Sequence, residues 1–181
     1  PLFGPGMDPM DAPISQSQPL QPIPQVGVVP FRLVGTQTEF CLVTGRRSGR
    51  WGFPKGGVTG GNSLLSAALD EAREEAGLVG KIHGNQLGQY SYRKKGKVFE
   101  VLMWLMQVES ALENWQESAD RSHVWVKLAE ARRLLDRPHL DQLVMLAANR
   151  LATPDVPHSG MSWSPAMFIP LGFDPLFPQR Q

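Results

Sequence analysis

Cysteine is almost absent from this chain: of 181 residues, only Cys41 is one. A disulfide framework is therefore excluded, and the apolar setting TEFCLVT predicts a buried, reduced thiol in an intracellular, cytoplasmic protein. Long hydrophobic runs are lacking too. The longest, VLMWLM at 101–106, is far too short to cross a bilayer, and no charged segment leads into a hydrophobic one. No membrane partner and no export signal are expected. Neither sign of charge is in excess: 18 Lys and Arg against 17 Asp and Glu leave a formal net charge of +1, so any attraction for phosphates must come from local patches. Tyrosine is scarce, and two of them beside one basic loop do not make an RNA-binding motif, so nucleic acid is not expected as a partner.

What is present suits one domain with tails. Residues 1–24 carry Pro at 1, 5, 9, 13, 19, 22 and 24 without apolar periodicity, as in a flexible tail. Residues 25–151 hold the periodic segments. Two β-rich stretches, Val26 to Val34 and Thr38 to Thr44, flank Gly35-Thr36 as a hairpin, which puts Pro30 at an edge or bulge. Val98 to Val108 is apolar on both alternating faces, as in a central strand covered on both sides. His123 to Lys127 reads as a strand with His123 structural or exposed, Leu128 to Leu135 as a short helix, and His139 to Leu151 as an amphipathic helix. The order predicts an α/β fold, a mixed central sheet in an α/β/α sandwich. Residues 152–181 combine six Pro with Trp163, Phe168, Phe173 and Phe177. They are expected to pack without regular structure over their own domain or over a second subunit, as in a homodimer.

The organising stretch is WGFPKGGVTGGNSLLSAALDEAREEAGL, residues 51–78. It reads as a glycine-rich loop, then a helix from Leu64 to Ala76 capped by Ser63 and stopped by Gly77. Leu65, Ala68, Leu69, Ala72 and Ala76 form its packing face, and Glu71, Glu74 and Glu75 fall on a neighbouring one. Clustered carboxylates repel unless a cation sits between them, which predicts a hard divalent metal, Mg2+ or Mn2+, held by these three. Lys55-Gly56-Gly57 before the helix lets backbone approach a ligand closely, so the combination suits a metal-bridged phosphate.

The pattern resembles the Nudix box. Gly56 matches its first glycine, Glu71 its first helical Glu, Ala72 an aliphatic position, Glu74 and Glu75 its Glu pair, and Gly77-Leu78 its end. Asn62 stands in place of an early Glu, and Asp70 in place of an Arg that in the family orients a neighbouring Glu. The resemblance covers roughly residues 26–150 and implies the Nudix fold. RRSGRWGFPKGG, and the Trp-and-acid loop before His123, look most like the branch that hydrolyses diphosphoinositol polyphosphates and dinucleoside polyphosphates.

The resemblance implies Mg2+-assisted attack of water on a phosphoanhydride of a nucleoside-diphosphate-linked or polyphosphorylated small molecule, the latter a diphosphoinositol or dinucleoside polyphosphate. Glu71, Glu74 and Glu75 would hold metal, and one of them or Glu117 would take the proton. Lys55, with Gly56 and Gly57, would meet the phosphates. Two basic groups are candidate grips: Arg46, Arg47 and Arg50 before the box, and Arg93, Lys94, Lys95 and Lys97 at a hairpin tip, each otherwise a solvated turn. The box departures keep two alternatives open, a Nudix-fold phosphate sensor without turnover and an RNA 5′-pyrophosphohydrolase.

Overall fold

A computed structural model describes residues 21–58, 60–61 and 63–153. Statements about the segments 1–20 and 154–181, including the packing expected of the aromatic extension, and about Asn62 lie outside the described residues.

β1 (Ile23–Val34) and β2 (Gln37–Thr44) form the expected antiparallel hairpin. β1 begins two residues inside the stretch read as tail. β3 (Trp51–Gly52) and β4 (Lys55–Gly57) follow, then α1 (Leu64–Ala76), the long hairpin β5 (Leu78–Lys94) and β6 (Lys97–Ala111), β7 (His123–Lys127), α2 (Leu128–Leu134) and α3 (Pro138–Ala152). The sheet is mixed: β1 runs parallel to β6 and antiparallel to β2 and β4, β6 pairs antiparallel with β5, and β7 joins the far side of β2.

Period-2 alternation sorts the strands onto two cores. Val29, Phe31, Phe40, Leu42, Met103 and Leu105 meet Ala131, Leu140, Leu143 and Val144 of α2 and α3 on one face. Val26, Val28, Cys41, Val43, Trp104 and Met106 meet Ala67, Ala68, Ala72 and Ala76 of α1 on the other. The sheet is thus covered on both sides, as the two-faced apolar run in β6 requires. Cys41 is free and buried, and burial pushes its thiol up to about 12.

Some expectations are corrected. Pro30 is not at a sheet edge but buried within β1, opposite Met106. Strand amides alternate in direction, and Val28 donates to Pro54 O at 3.1 Å, so the nitrogen of Pro30 faces that same side. There β1 changes partner, from β4 at residues 25–27 to β2 at 31–34, and no ladder bond is lost. Leu65 is 42% exposed rather than part of the packing face, and Glu75, read as lying on the acidic face, is buried among the alanines of α1. Residues 55–57, read as loop, are the short strand β4.

Candidate active site

α1 is set where the sequence placed it. Ser63 caps it, its side chain accepting from Ser66 N at 3.1 Å, and Gly77 ends it at φ 68°. The last carbonyls of a helix need outside donors. Here the segment after β6 supplies them: Glu117 N donates to Glu74 O at 3.2 Å, Trp115 Nε1 to Glu75 O at 3.2 Å, and His123 Nδ1 to Ala76 O at 2.9 Å. A carbonyl only accepts, so His123 carries its proton on Nδ1; it also stacks on Trp115 with ring centroids 5.0 Å apart. His123 is structural, as expected. The docking of this loop is what carries Glu117, forty-odd residues downstream, to the acidic turn of α1.

Glu71, Glu74, Glu75 and Glu117 consequently share one electrostatic field. Burial, followed by the like charges of Glu75, Glu74 and Glu117, raises the Glu71 carboxyl to about 7. Burial also raises Glu75, against the opposing pull of Arg121 and of the Lys55 amide. Glu75 accepts from Lys55 N at 3.1 Å and pairs with Arg121, whose Nε binds Glu117. Glu117 also accepts from Arg46 Nη1 at 3.1 Å. Among the described residues, no hydrogen bond or ion pair engages the side chains of Glu71 and Glu74. A cavity of about 300 Å³, lined in part by Arg73, Glu74 and Trp115, opens beside Glu74.

Among the described residues no three His, Cys, Asp or Glu side chains converge in a ligand arrangement, and Glu75 is engaged by Arg121 and by the Lys55 amide of β4. The donor chemistry fits a hard divalent cation: all four groups offer carboxylate oxygen, and Glu71 is crowded by the like charges of the other three.

β4 brings Lys55, Gly56 and Gly57 alongside. A Cβ on Gly56 would lie 2.0 Å from Glu71 Oε1, so only glycine admits that carboxylate against the strand. Lys55 Nζ donates to Tyr92 OH at 3.2 Å, which donates to Gln25 Oε1 at 2.8 Å. Burial lowers the Lys55 pKa, with Glu75 and Glu71 opposing that shift. Gly57 is exposed and pairs with Gln25.

The two basic groups divide differently than expected. Arg46 reaches the carboxylates, bound to Glu117 and Asp120, whereas Arg50 turns to Asp136 at 2.9 Å and Arg47 is exposed. Arg93, Lys94, Lys95 and Lys97 stand exposed about the β5–β6 turn, and among the described residues no ion pair joins them to the acidic cluster. Tyr92, next to Arg93 in β5, accepts from Lys55 Nζ. Arg121, Tyr92 and Gln25 were not singled out from the sequence. For Arg121 the signal was the i,i+4 spacing from Glu117; for Gln25 and Tyr92 nothing local announces the contact.

Three comparisons bear on this arrangement. The model of the NUDIX domain matches residues 23–147. Nudix hydrolase 18, mitochondrial, of Arabidopsis thaliana is 34% identical over 116 residues, 59% of this chain and 65% of the relative. Diphosphoinositol polyphosphate phosphohydrolase 3-beta of Bos taurus is 31% identical over 102 residues, 55% of this chain and 61% of the relative. The chain thus spans less than two thirds of the length of either. The crystal structure of C. elegans Ap4A hydrolase superposes with a TM-score of 0.62 at 26% identity, covering 73% of this chain and all of that one. With the box helix, the sheet around it and the family model agreeing over the same residues, this chain belongs to the NUDIX domain family.

Proposed function

We propose that this chain hydrolyses a phosphoanhydride bond in a small polyphosphorylated molecule, a dinucleoside or diphosphoinositol polyphosphate, with Mg2+ or Mn2+ as cofactor. The observation that carries the reading is the gathering of Glu71, Glu74, Glu75 and Glu117 from two separate segments beside Lys55. Relatives named for diphosphoinositol polyphosphate and Ap4A hydrolysis support the substrate class. The buried thiol of Cys41 supports a reducing, cytoplasmic setting.

Glu71, Glu74 and the remaining lone pairs of Glu75 would hold the cation, which when bound polarises the phosphoanhydride and acidifies water. Lys55, partly desolvated, offers an ammonium to phosphate oxygens. Glu117 has each oxygen already bound by a guanidinium, so Glu71 is the better acceptor for the proton of water. A second reading, a phosphate sensor without turnover, is favoured by Asp70 at the box Arg position.

A screen of inositol pyrophosphates, dinucleoside polyphosphates, nucleoside diphosphate sugars and triphosphorylated RNA, with Mg2+ and with Mn2+, separates these readings. Phosphate or pyrophosphate release from one of the first two groups is expected. Binding without release would leave the sensor, and release from RNA alone would leave the RNA enzyme.

The basic tip gives a companion prediction. Changing Arg93, Lys94, Lys95 and Lys97 to Ser should raise KM for a polyphosphate far more than for a substrate with few phosphates. Exposed charges act by attraction that salt screens, so the difference should shrink as ionic strength rises. Equal, salt-insensitive losses for both substrates would take the tip out of the binding site.

A further inference from the structure

We infer that Arg121 is a positioning residue for this reaction, holding Glu75 and Glu117 in a fixed relation and supplying the guanidinium that box position 70, occupied by Asp70, lacks. The inference rests on the hydrolase reading above. The Arg121 side chain is only 11% exposed and reaches three chain segments at once: it binds Glu75 of α1 and Glu117 of the docked loop, and its Nη1 donates to Thr44 O of β2 at 2.9 Å. A planar fork with five N–H donors meets three acceptors in one geometry, which an ammonium on a flexible stem does not.

The remaining donors complete the clamp. Glu75 Oε2 accepts from Lys55 N at 3.1 Å while Oε1 pairs with Arg121, and Glu117 Oε1 accepts from Arg46 at 3.1 Å while Oε2 pairs with Arg121. Both carboxylates are thereby fixed through both oxygens, each oxygen keeping a lone pair for a further partner. Asp70 cannot do this: it is an acid, its side chain is 44% exposed, and it meets Arg73 at 4.0 Å. The guanidinium arrives instead from a segment that packs on the end of α1.

Two consequences separate positioning from a merely structural role. With Arg121 removed, Glu75 and Glu117 lose a competing positive charge, so metal binding to the resting protein should tighten. They also lose their orientation, so turnover should fall, and a misplacement of about an ångström costs on the order of 100-fold. Affinity for metal and catalytic rate then move in opposite directions.

The test compares the full chain with Arg121→Ala and Arg121→Lys. Mn2+ binding is followed by titration of the substrate-free protein, and hydrolysis by kcat and KM on diadenosine tetraphosphate, or on whichever substrate the screen turns over. For Arg121→Ala we expect several-fold tighter Mn2+ binding, a kcat lower by about 100-fold and KM within a few-fold. Arg121→Lys should recover part of the rate, and guanidinium ion at millimolar concentration should restore part of the Ala variant's. Wild-type-like kcat in Arg121→Ala, or Mn2+ affinity, kcat and melting temperature all falling together, would overturn the proposal while the hydrolase reading stands. No turnover of any substrate by the wild-type chain would overturn that reading and this proposal with it.

Discussion

Glu71→Gln should lower kcat by about three orders of magnitude and at the same time make the metal-free protein more stable at neutral pH. The loss of rate follows from removing a charged oxygen donor that, among the described residues, no hydrogen bond or ion pair engages. The gain in stability follows from proton linkage. Burial and the like charges of Glu75, Glu74 and Glu117 raise the folded-state pKa of Glu71 from 4.5 to about 7. Between those values the folded chain holds more proton than the unfolded chain, so stability falls as pH rises through the window, and above about 7 the loss is complete. The raised Glu75 acts in the same direction. Thermal melts of the metal-free wild-type protein should therefore show a melting temperature that declines from pH 5 to pH 7.5, with a shallower decline in Glu71→Gln. A wild-type profile that rises across that interval would remove Glu71 from the crowded acidic site, whatever the kinetics show.

Two glycines that look alike in sequence should behave differently when given a methyl group. At Gly56 the added Cβ would meet the tip of a flexible side chain, Glu71 Oε1 at 2.0 Å, so the carboxylate moves and the fold persists. Gly56→Ala should cost about 100-fold in kcat with little change in melting temperature. At Gly27 the Cβ would meet Pro54 O at 2.5 Å and Lys55 Cβ at 2.7 Å. Gly27 pairs with Lys55 in the β1–β4 ladder, so relief there means moving backbone. Gly27→Ala should destabilise by about 1–3 kcal/mol, with lower activity because β4 carries Lys55. Denaturant unfolding of both variants beside steady-state kinetics checks the contrast. Equal stability loss in the two would mean that the Glu71 carboxylate has no room to yield.

The box helix was legible because its signals are local. Ser63 as cap, an interior free of Gly and Pro, and Gly77 as stop all act within one turn of the residues they govern, and all appear as read. The two-faced run in β6 was legible for a similar reason, since alternation reports burial directly. The packing face of α1 was less so. Hydrophobicity favoured Leu65 over Glu75, yet which stripe of a helix turns inward depends on what it packs against. Small alanines let α1 lie close to β1, and Arg121 and the Lys55 amide make burial of Glu75 tolerable. Pro30 was misplaced because the rule for proline concerns a missing donor, and only the partner change along β1 shows that no acceptor waits there.

The sequence by itself determined which carboxylates could act: Glu71, Glu74 and Glu75 share a helical turn by spacing, and their neighbours in the box set the chemistry they suit. Only the tertiary structure decided how those charges are arranged. A loop whose donors satisfy the open carbonyls of α1 brings Glu117 to the turn, and Arg121, 46 residues from Glu75, ties the two together. Contacts at that separation leave no periodic trace in a sequence, because they are fixed by where the sheet places two distant segments and not by the geometry of either one.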